Sequence, residues 1–317
     1  VGLRQKRLAG GSYEDFVDEF VAAACEEFPG VIIQFEDFAN DSAFHLLHKY
    51  RDTIPAFNDD IQGTAAVALA GLFSALRVTG GKLKEQTILF LGAGEAATGI
   101  ANLTVSAMAA GGISEAEARR CIWLFDAGGL VVKDRGGLNA ENRRYAHAHA
   151  EIGDFLSAVR ELKPTAIIGA TGVGGLFSPE VLKTMAELNT RPIIFALSNP
   201  TSKSECSAED AYRYTNGAAL FACGSPYGPV KLNGKTLVPR QSNNSYIFPG
   251  VGLGAIVSAT KRITDEMFMA AAITLAQTVS DEDLNQGSLY PALPRIRDVS
   301  ARIAAAVAAV AYRQGLA

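Results

Sequence analysis

Four carboxylates stand in two tight clusters: Glu36 and Asp37 within Gln34-Phe35-Glu36-Asp37-Phe38, and Asp59 and Asp60 within Phe57-Asn58-Asp59-Asp60-Ile61. Carboxylates set in apolar sequence are costly to bury unless a cation or hydrogen bonds satisfy them. Glu36, Asp37 and Asp60 together form an all-oxygen set suited to a hard divalent cation such as Mg2+ or Mn2+. Adjacent carboxylates on a strand point to opposite faces, so Glu36 and Asp37 can share one ion only if the strand ends there. The plainer reading of Asp59 or Asp60 is an acidic residue at a helix N-terminus, compensating the dipole. Zinc is disfavoured, because His45, His48, His147 and His149 have no convincing ligand partners. The first two read as a helix-surface pair and the last two as an exposed edge.

A glycine-rich loop, Gly92-Ala93-Gly94-Glu95-Ala96-Ala97, lies between a strand pattern and a helix pattern. In that setting Gly92 permits the tight turn, Gly94 lets backbone reach a pyrophosphate, and Ala97 allows close helix packing. Asp126 ends the next predicted strand, where an acid can bind an adenine ribose 2′-hydroxyl. The spacing exceeds the usual ~20 residues, and the segment 111–115 accounts for the excess. Asp126 alone favours NAD over NADP by repelling a 2′-phosphate. Arg143 and Arg144 could fold back to compensate, or could simply form a solvated helix face, so cofactor choice stays open. Ser198-Asn199-Pro200 and Ser242-Asn243-Asn244 offer amides that can bind a carboxylate substrate without adding charge; both are also ordinary Asx-turn sequences. Acids beside a dinucleotide loop point to a metal-assisted dehydrogenase.

The elements that must position these groups read as alternating strands and helices. Strands are predicted at 31–35, 87–91, 121–125, 166–169, 192–197 and 220–222. Helices are predicted at 12–28 with Ser12 as N-cap, at 43–50, 64–76, 265–279 and 299–313. Residues 245–253, with proline and glycine, read as a loop. The pattern implies a doubly wound, Rossmann-type parallel α/β sheet with right-handed crossovers. The expected division is 1–58, part of a second α/β domain; 59–243, the nucleotide-binding domain; and 244–317, a mainly helical return segment packing with 1–58.

With 317 residues, 48% hydrophobic content and 31 glycines, the chain can bury a substantial core. Its net charge of −4 gives no general attraction to nucleic acid or an anionic membrane. The basic run Arg4-Gln5-Lys6-Arg7 reads as a solvated or subunit-facing edge. Cys25, Cys121, Cys206 and Cys223 lack metal-binding or disulfide-framework spacing and read as buried free thiols in an intracellular, reducing compartment. The apolar tail from Ile303 to Tyr312 is too short to span a bilayer. The start at Val1 suggests a processed or truncated chain.

Several motifs together resemble the malic enzymes. They are residues 2–7, Gln34-Phe35-Glu36-Asp37-Phe38-Ala39-Asn40, residues 57–64, 91–96, 163–169 and 196–201, Ser242 to Gly250, and Leu289-Tyr290-Pro291. The resemblance runs the length of the chain. It implies divalent-metal-dependent oxidative decarboxylation of L-malate to pyruvate and CO2 with reduction of NAD(P)+. It makes Glu36, Asp37 and Asp60 the metal ligands, Asn199 and Asn244 substrate amides, with Asn199 also against the cofactor, and Asp59 the acid that orients a catalytic lysine. Residues 172–175 and 223–250 resemble the plant and algal NADP-dependent branch. The resemblance also implies a homo-oligomer, a dimer or tetramer. The general-base lysine and proton-donating tyrosine of the family have no counterpart here, so these 317 residues alone are expected to turn malate over poorly. Two alternatives stay open: a metal-free Rossmann dehydrogenase, and a silent nucleotide-binding module.

Overall fold

The computed structural model describes residues 4, 6 and 10–317; the rest of the basic stretch at 2–7 lies outside them. Helix α1 (Gly11–Glu27), strand β1 (Ile33–Phe35), helix α2 (Asn40–Tyr50) and strand β2 (Ala56–Asn58) come first. Gly10, not Ser12, precedes α1, so the expected serine cap is not the one used. β1 and β2 pair in parallel with Phe35 opposite Asn58, α2 supplying the crossover that parallel pairing requires. Val17, Val21, Phe35, Leu46 and Tyr50 close a small core of their own behind this pair.

Residues Asp59–Gly63 form one turn of π-helix that runs directly into α3 (Thr64–Thr79). The stretch Asp59–Thr79 is long and apolar enough to cross a membrane by composition, yet 78% of its most apolar window is buried within the protein. It is a core helix of the protein, and the helix expected at 64–76 lies within it.

The chain then alternates through β3 (Ile88–Leu91), α4 (Glu95–Ala110), α5 (Glu115–Arg120), β4 (Ile122–Asp126), β5 (Gly129–Leu130) and α6 (Ala140–Arg143). It continues through α7 (Phe155–Leu162), β6 (Ala166–Gly169), α8 (Pro179–Leu188), β7 (Ile193–Ala196), α9 (Ala208–Tyr214) and β8 (Leu220–Cys223). The six strands lie in the order β5-β4-β3-β6-β7-β8. All neighbours are parallel except β5, which returns antiparallel along β4. β3, β6, β7 and β8 are buried at every position, because helices cover both faces. This is the doubly wound Rossmann-type sheet. Its strand order reverses between β3 and β6, and in such sheets ligands bind at the carboxyl ends beside that reversal.

Two features depart from the sequence reading. β9 (Val230–Leu232) and β10 (Lys235–Leu237) form a hairpin across Asn233-Gly234, both at positive φ, as a two-residue turn of this hand requires. Residues 245–253, expected as loop, belong from Phe248 onward to helix α10 (Phe248–Ser258). Pro249 sits in its first turn, where a missing N–H breaks no helical bond. Gly250 and Gly254 lie against the final helix. After α11 (Asp265–Thr278) and α12 (Asp281–Asn285), helix α13 (Ile296–Arg313) packs along α10 and α11. The return segment beds chiefly on α3 and meets residues 1–58 through Arg51–Asp265, Arg262–Asp52 and the rings of Phe57 and Phe268.

His147 is not an exposed edge residue. Its ring lies on Trp123 with centroids 3.9 Å apart, and Nε2 lies 2.7 Å from the Ile122 carbonyl, donating to it. Desolvation lowers its pKa despite that bond. Cys206 and Cys223 are buried free thiols as expected, whereas Cys25 and Cys121 are half-buried.

A Cβ on Gly254 would stand 2.7 Å from both the Ala304 carbonyl oxygen and Val307 Cβ, while one on Gly252 would meet nothing within 4 Å. Gly254→Ala should therefore lose about 1–3 kcal/mol to overpacking, which outweighs the ~1 kcal/mol that alanine recovers in helix propensity. Gly252→Ala should be neutral or stabilising by up to about 1 kcal/mol. Urea unfolding of the two variants beside the wild type reads the difference.

Candidate functional site

The register of β1 against β2 does the assembling. Because Phe35 lies opposite Asn58, the residues that follow, Glu36-Asp37 and Asp59-Asp60, leave the sheet side by side. The Asp37 N–H donates to Asp60 Oδ2 at 2.8 Å, and Asp37 has a positive φ of 58°, which ends the strand. That break removes the objection that neighbouring carboxylates on a strand must diverge. All four acids line one cavity of roughly 650 Å³, together with Asn199 and Asn244. Among the described residues no lysine, arginine or tyrosine lines it.

Asn58 caps the π-turn, its side chain accepting the Ile61 N–H at 2.9 Å. Asp59, at the start of that turn, is almost wholly buried. Its Oδ2 accepts from Asn244 Nδ2 at 3.0 Å, and its Oδ1 has no hydrogen-bond partner. Burial pushes its pKa up to about 7; the Asn244 bond pulls the other way, and the charges of Glu36 and Asp60 add to the rise. The carboxyl of Asp60 is also raised, again by burial first, with the Asp37 N–H lowering it and the Asp37 charge raising it. A Cβ on Gly63 would fall 1.9 Å from Asp59 Oδ1, so the turn accommodates this carboxyl only with glycine there.

Asn244 ties the return segment to this turn, bonding Thr64 Oγ1 as well as Asp59. Asn199 follows β7 and enters a cis peptide bond to Pro200. Ser225, just beyond β8, was not singled out from the sequence. It lines the cavity, and its buried hydroxyl has no protein partner. Nothing in the local sequence Gly224-Ser225-Pro226 distinguishes it from a turn.

A second cavity of roughly 720 Å³ lies over the glycine loop, lined by Gly92, Gly94, Glu95, Ala96 and Asp126. Gly92 has φ 118°, and a Cβ there would stand 2.5 Å from the Ala170 carbonyl oxygen, so the turn between β3 and α4 needs glycine. Ala97 is fully buried in the first turn of α4, and Gly94, Glu95 and Ala96 at the start of that helix line this cavity. Ala96, Ala170 and Gly172 line both cavities, which therefore adjoin at the reversal point of the sheet.

Asp126 is not free to act alone. Arg135 Nη2 donates to both its oxygens, at 2.6 and 2.7 Å, and the Gly128 N–H donates at 2.7 Å. Of the two readings left open for Arg143 and Arg144, the structure has the solvated helix face: both are exposed, Arg143 bonding the Leu138 carbonyl and Arg144 pairing with Glu141. The compensating cation is Arg135, brought back by the antiparallel β5.

A dinucleotide loop at the switch point of a doubly wound sheet, opening onto an acid-lined cavity, defines a nucleotide-dependent enzyme domain of the Rossmann class. Residues 61–312 match the family described as malic enzyme, NAD binding domain, and residues 1–51 match malic enzyme, N-terminal domain. The human NADP-dependent malic enzyme is 54% identical over 316 residues, covering 99% of this chain and 55% of its own length. The chloroplastic NADP-dependent malic enzyme of rice is 51% identical, with 100% of this chain and 50% of that protein covered. The crystal structure of Entamoeba histolytica malic enzyme superposes with a TM-score of 0.79 at 28% identity, covering 96% of this chain and 58% of that one. The chain belongs to the malic enzyme family. It spans about half the length of the curated relatives it matches.

Asp126 and Arg135 form a neutral pair beside the nucleotide cavity. Arg135→Gln would leave the Asp126 charge uncompensated where a 2′-phosphate is expected. The ratio of NADPH to NADH affinity should then fall by about tenfold, corresponding to roughly 1.4 kcal/mol, as read by titrating both nucleotides.

Proposed function

We propose that this chain supplies the nucleotide site, the metal-binding carboxylates and part of the substrate cavity for oxidative decarboxylation of L-malate to pyruvate and CO2, with reduction of NADP+ or NAD+. The observation that carries the reading is the charge of the first cavity: four carboxylates line it and, among the described residues, no cationic side chain does. Burial of that much uncompensated negative charge calls for a bound cation or for protons. Among the described residues no three His, Cys, Asp or Glu side chains already stand as a ligand cluster. The donors nevertheless fit a hard ion by chemistry and by location, and Glu36, Asp37 and Asp60 would hold Mg2+ or Mn2+. Such an ion, when bound, would lower the pKa of the malate hydroxyl and polarise the C2 carbonyl while the β-carboxylate leaves.

The chain's own residues do the rest of the positioning. The loop Gly92–Ala97 would take the pyrophosphate at the start of α4, directing the nicotinamide across Ala170 and Gly172 into the acid cavity. The cofactor, when bound, would supply a hydride acceptor for malate C2, while the protein would have to take the hydroxyl proton to a base, let CO2 leave and return a proton to C3. Asn199 and Asn244 would orient substrate carboxylate through amide groups. Asp59, with its pKa near 7, can hold a proton close to the reacting atoms without a fixed charge. The base and acid themselves are a lysine and a tyrosine by resemblance, and neither residue type lines this cavity. NADP+ is the favoured cofactor, supported by the relatives' names and by the Arg135 pairing of Asp126. A dimer or tetramer in a reducing compartment belongs to the same reading, supported by exposed Leu253, Ile256 and Val257 on α10 and by free thiols.

Calorimetric titration of the wild type should show Mn2+ binding, and Asp60→Asn should weaken it by at least about tenfold while thermal unfolding stays cooperative. Equal Mn2+ affinity in the two proteins would remove the metal from this reading and favour a metal-free nucleotide domain. Expressed by themselves, the 317 residues should bind NADPH yet form it from malate about 10²- to 10⁴-fold more slowly than a family member carrying the lysine–tyrosine pair. Initial rates at matched protein concentration check this.

A further inference from the structure

One buried acid has no part in the metal or nucleotide contacts described above. Glu205 lies between the short turn after β7 and helix α9 and has no solvent exposure. Its carboxylate accepts from the Thr171 N–H and hydroxyl, both at 3.1 Å, from the Ser198 N–H at 3.3 Å, and from the Ser198 hydroxyl. Ser198 Oγ in turn accepts the Gly172 N–H at 2.9 Å, and the Glu205 carbonyl accepts the Phe177 N–H at 2.9 Å. Room for the carboxylate comes from Gly169, the last residue of β6, where a Cβ would stand 2.5 Å from Glu205 Cδ.

These bonds join two loops that otherwise have separate tasks. Residues 170–173, after β6, line the nucleotide cavity, and Ala170 and Gly172 among them line the acid cavity as well. Residues 198–201, after β7, carry Asn199 into the acid cavity. Each loop leaves its own strand, and strand pairing stops at Gly169 and Ala196. Beyond that point the loops are held by Ser198 Oγ, which accepts the Thr171 and Gly172 N–H groups, and by the carboxyl group of Glu205, which bonds both loops at once. A buried carboxyl group engaged by four partners is both satisfied and geometrically demanding, because two of them are backbone N–H groups that can only donate toward it.

We propose that Glu205 is a positioning residue: its buried carboxyl group, bonded to both loops, fixes the distance between the wall that carries the nicotinamide half of the cofactor and the turn that presents Asn199. The assignment rests on the nucleotide reading above and sharpens it, since it predicts that only one half of the cofactor depends on this group. The adenine half should be held by the Gly92–Ala97 loop and the Asp126–Arg135 edge, which make none of these bonds.

The test compares NADPH with adenosine 2′,5′-bisphosphate, its adenine half, by calorimetry on the wild type, Glu205→Gln and Ser198→Ala. Glutamine keeps the shape but turns an amide N–H₂ toward groups that donate. The expected result is about a tenfold loss of NADPH affinity in Glu205→Gln, a smaller loss in Ser198→Ala, and bisphosphate affinity within about twofold of wild type in both. Energy transfer from Trp123, the single tryptophan, to bound NADPH should fall in the same order. Parallel losses for both ligands would mean general support of the fold and overturn the proposal, as would unchanged NADPH binding in both variants. Ser198→Ala keeps the test decisive if Glu205→Gln fails to fold. A wild type that binds neither ligand refutes the nucleotide site itself, and this assignment with it.

Discussion

Everything at the acid cavity depends on a parallel pairing only three residues long. β1 and β2 are too short to be stable as an isolated ribbon. Their register nonetheless decides whether Glu36-Asp37 and Asp59-Asp60 meet, because a slip of one residue would carry each carboxylate to the opposite face. What holds the register is packing on both sides. Phe35 stacks on Tyr50 and meets Phe38 edge to face, while Phe57 reaches across to Phe268 of α11. Gln62, inside the π-turn, accepts the Asn58 N–H and donates to Asp265. The strand ends are thus pinned to the return segment as well as to each other.

The same turn links the two ligand regions. α3 begins where the π-turn ends, and α4 lies beside it, Ile61 standing against Gly99 with no space for a larger side chain. The start of α4 is where a pyrophosphate would sit. A shift of the acid-bearing turn would therefore move the helix that anchors the nucleotide. Closeness of the acid cavity to the glycine-loop cavity is in this sense a property of helix packing.

The sheet could be read from the sequence because its strands are continuous apolar runs closed by glycine, proline or an acid. The acid clusters could be read because burying them has a cost that must be met. Other parts gave no such signal. Helix α10 carries Pro249 and three glycines, a loop composition by any local rule; only contact with α13 explains it. Arg135 lies nine residues past Asp126 and returns through a two-residue antiparallel strand, too short to leave a periodicity. Glu205, in Ser204-Glu205-Cys206, looks like a solvated loop residue. Its burial follows from where β6 and β7 stop, which is a tertiary fact.

The charge of the acid cavity frames how cation and proton share the work. Asp59 is the deepest of the four acids, and desolvation has raised its pKa most clearly, so it is the one that a proton neutralises first. Asp60 is only partly buried and already receives the Asp37 N–H, which favours its ionised form. Glu36 and Asp37 are more open to solvent. The gradient in burial runs from Asp59 at the floor to Glu36 and Asp37 at the mouth. A divalent ion held there, as proposed above, would oppose protonation of Asp59 by its charge. Metal binding and proton release at Asp59 would then be coupled through the field of the cavity itself.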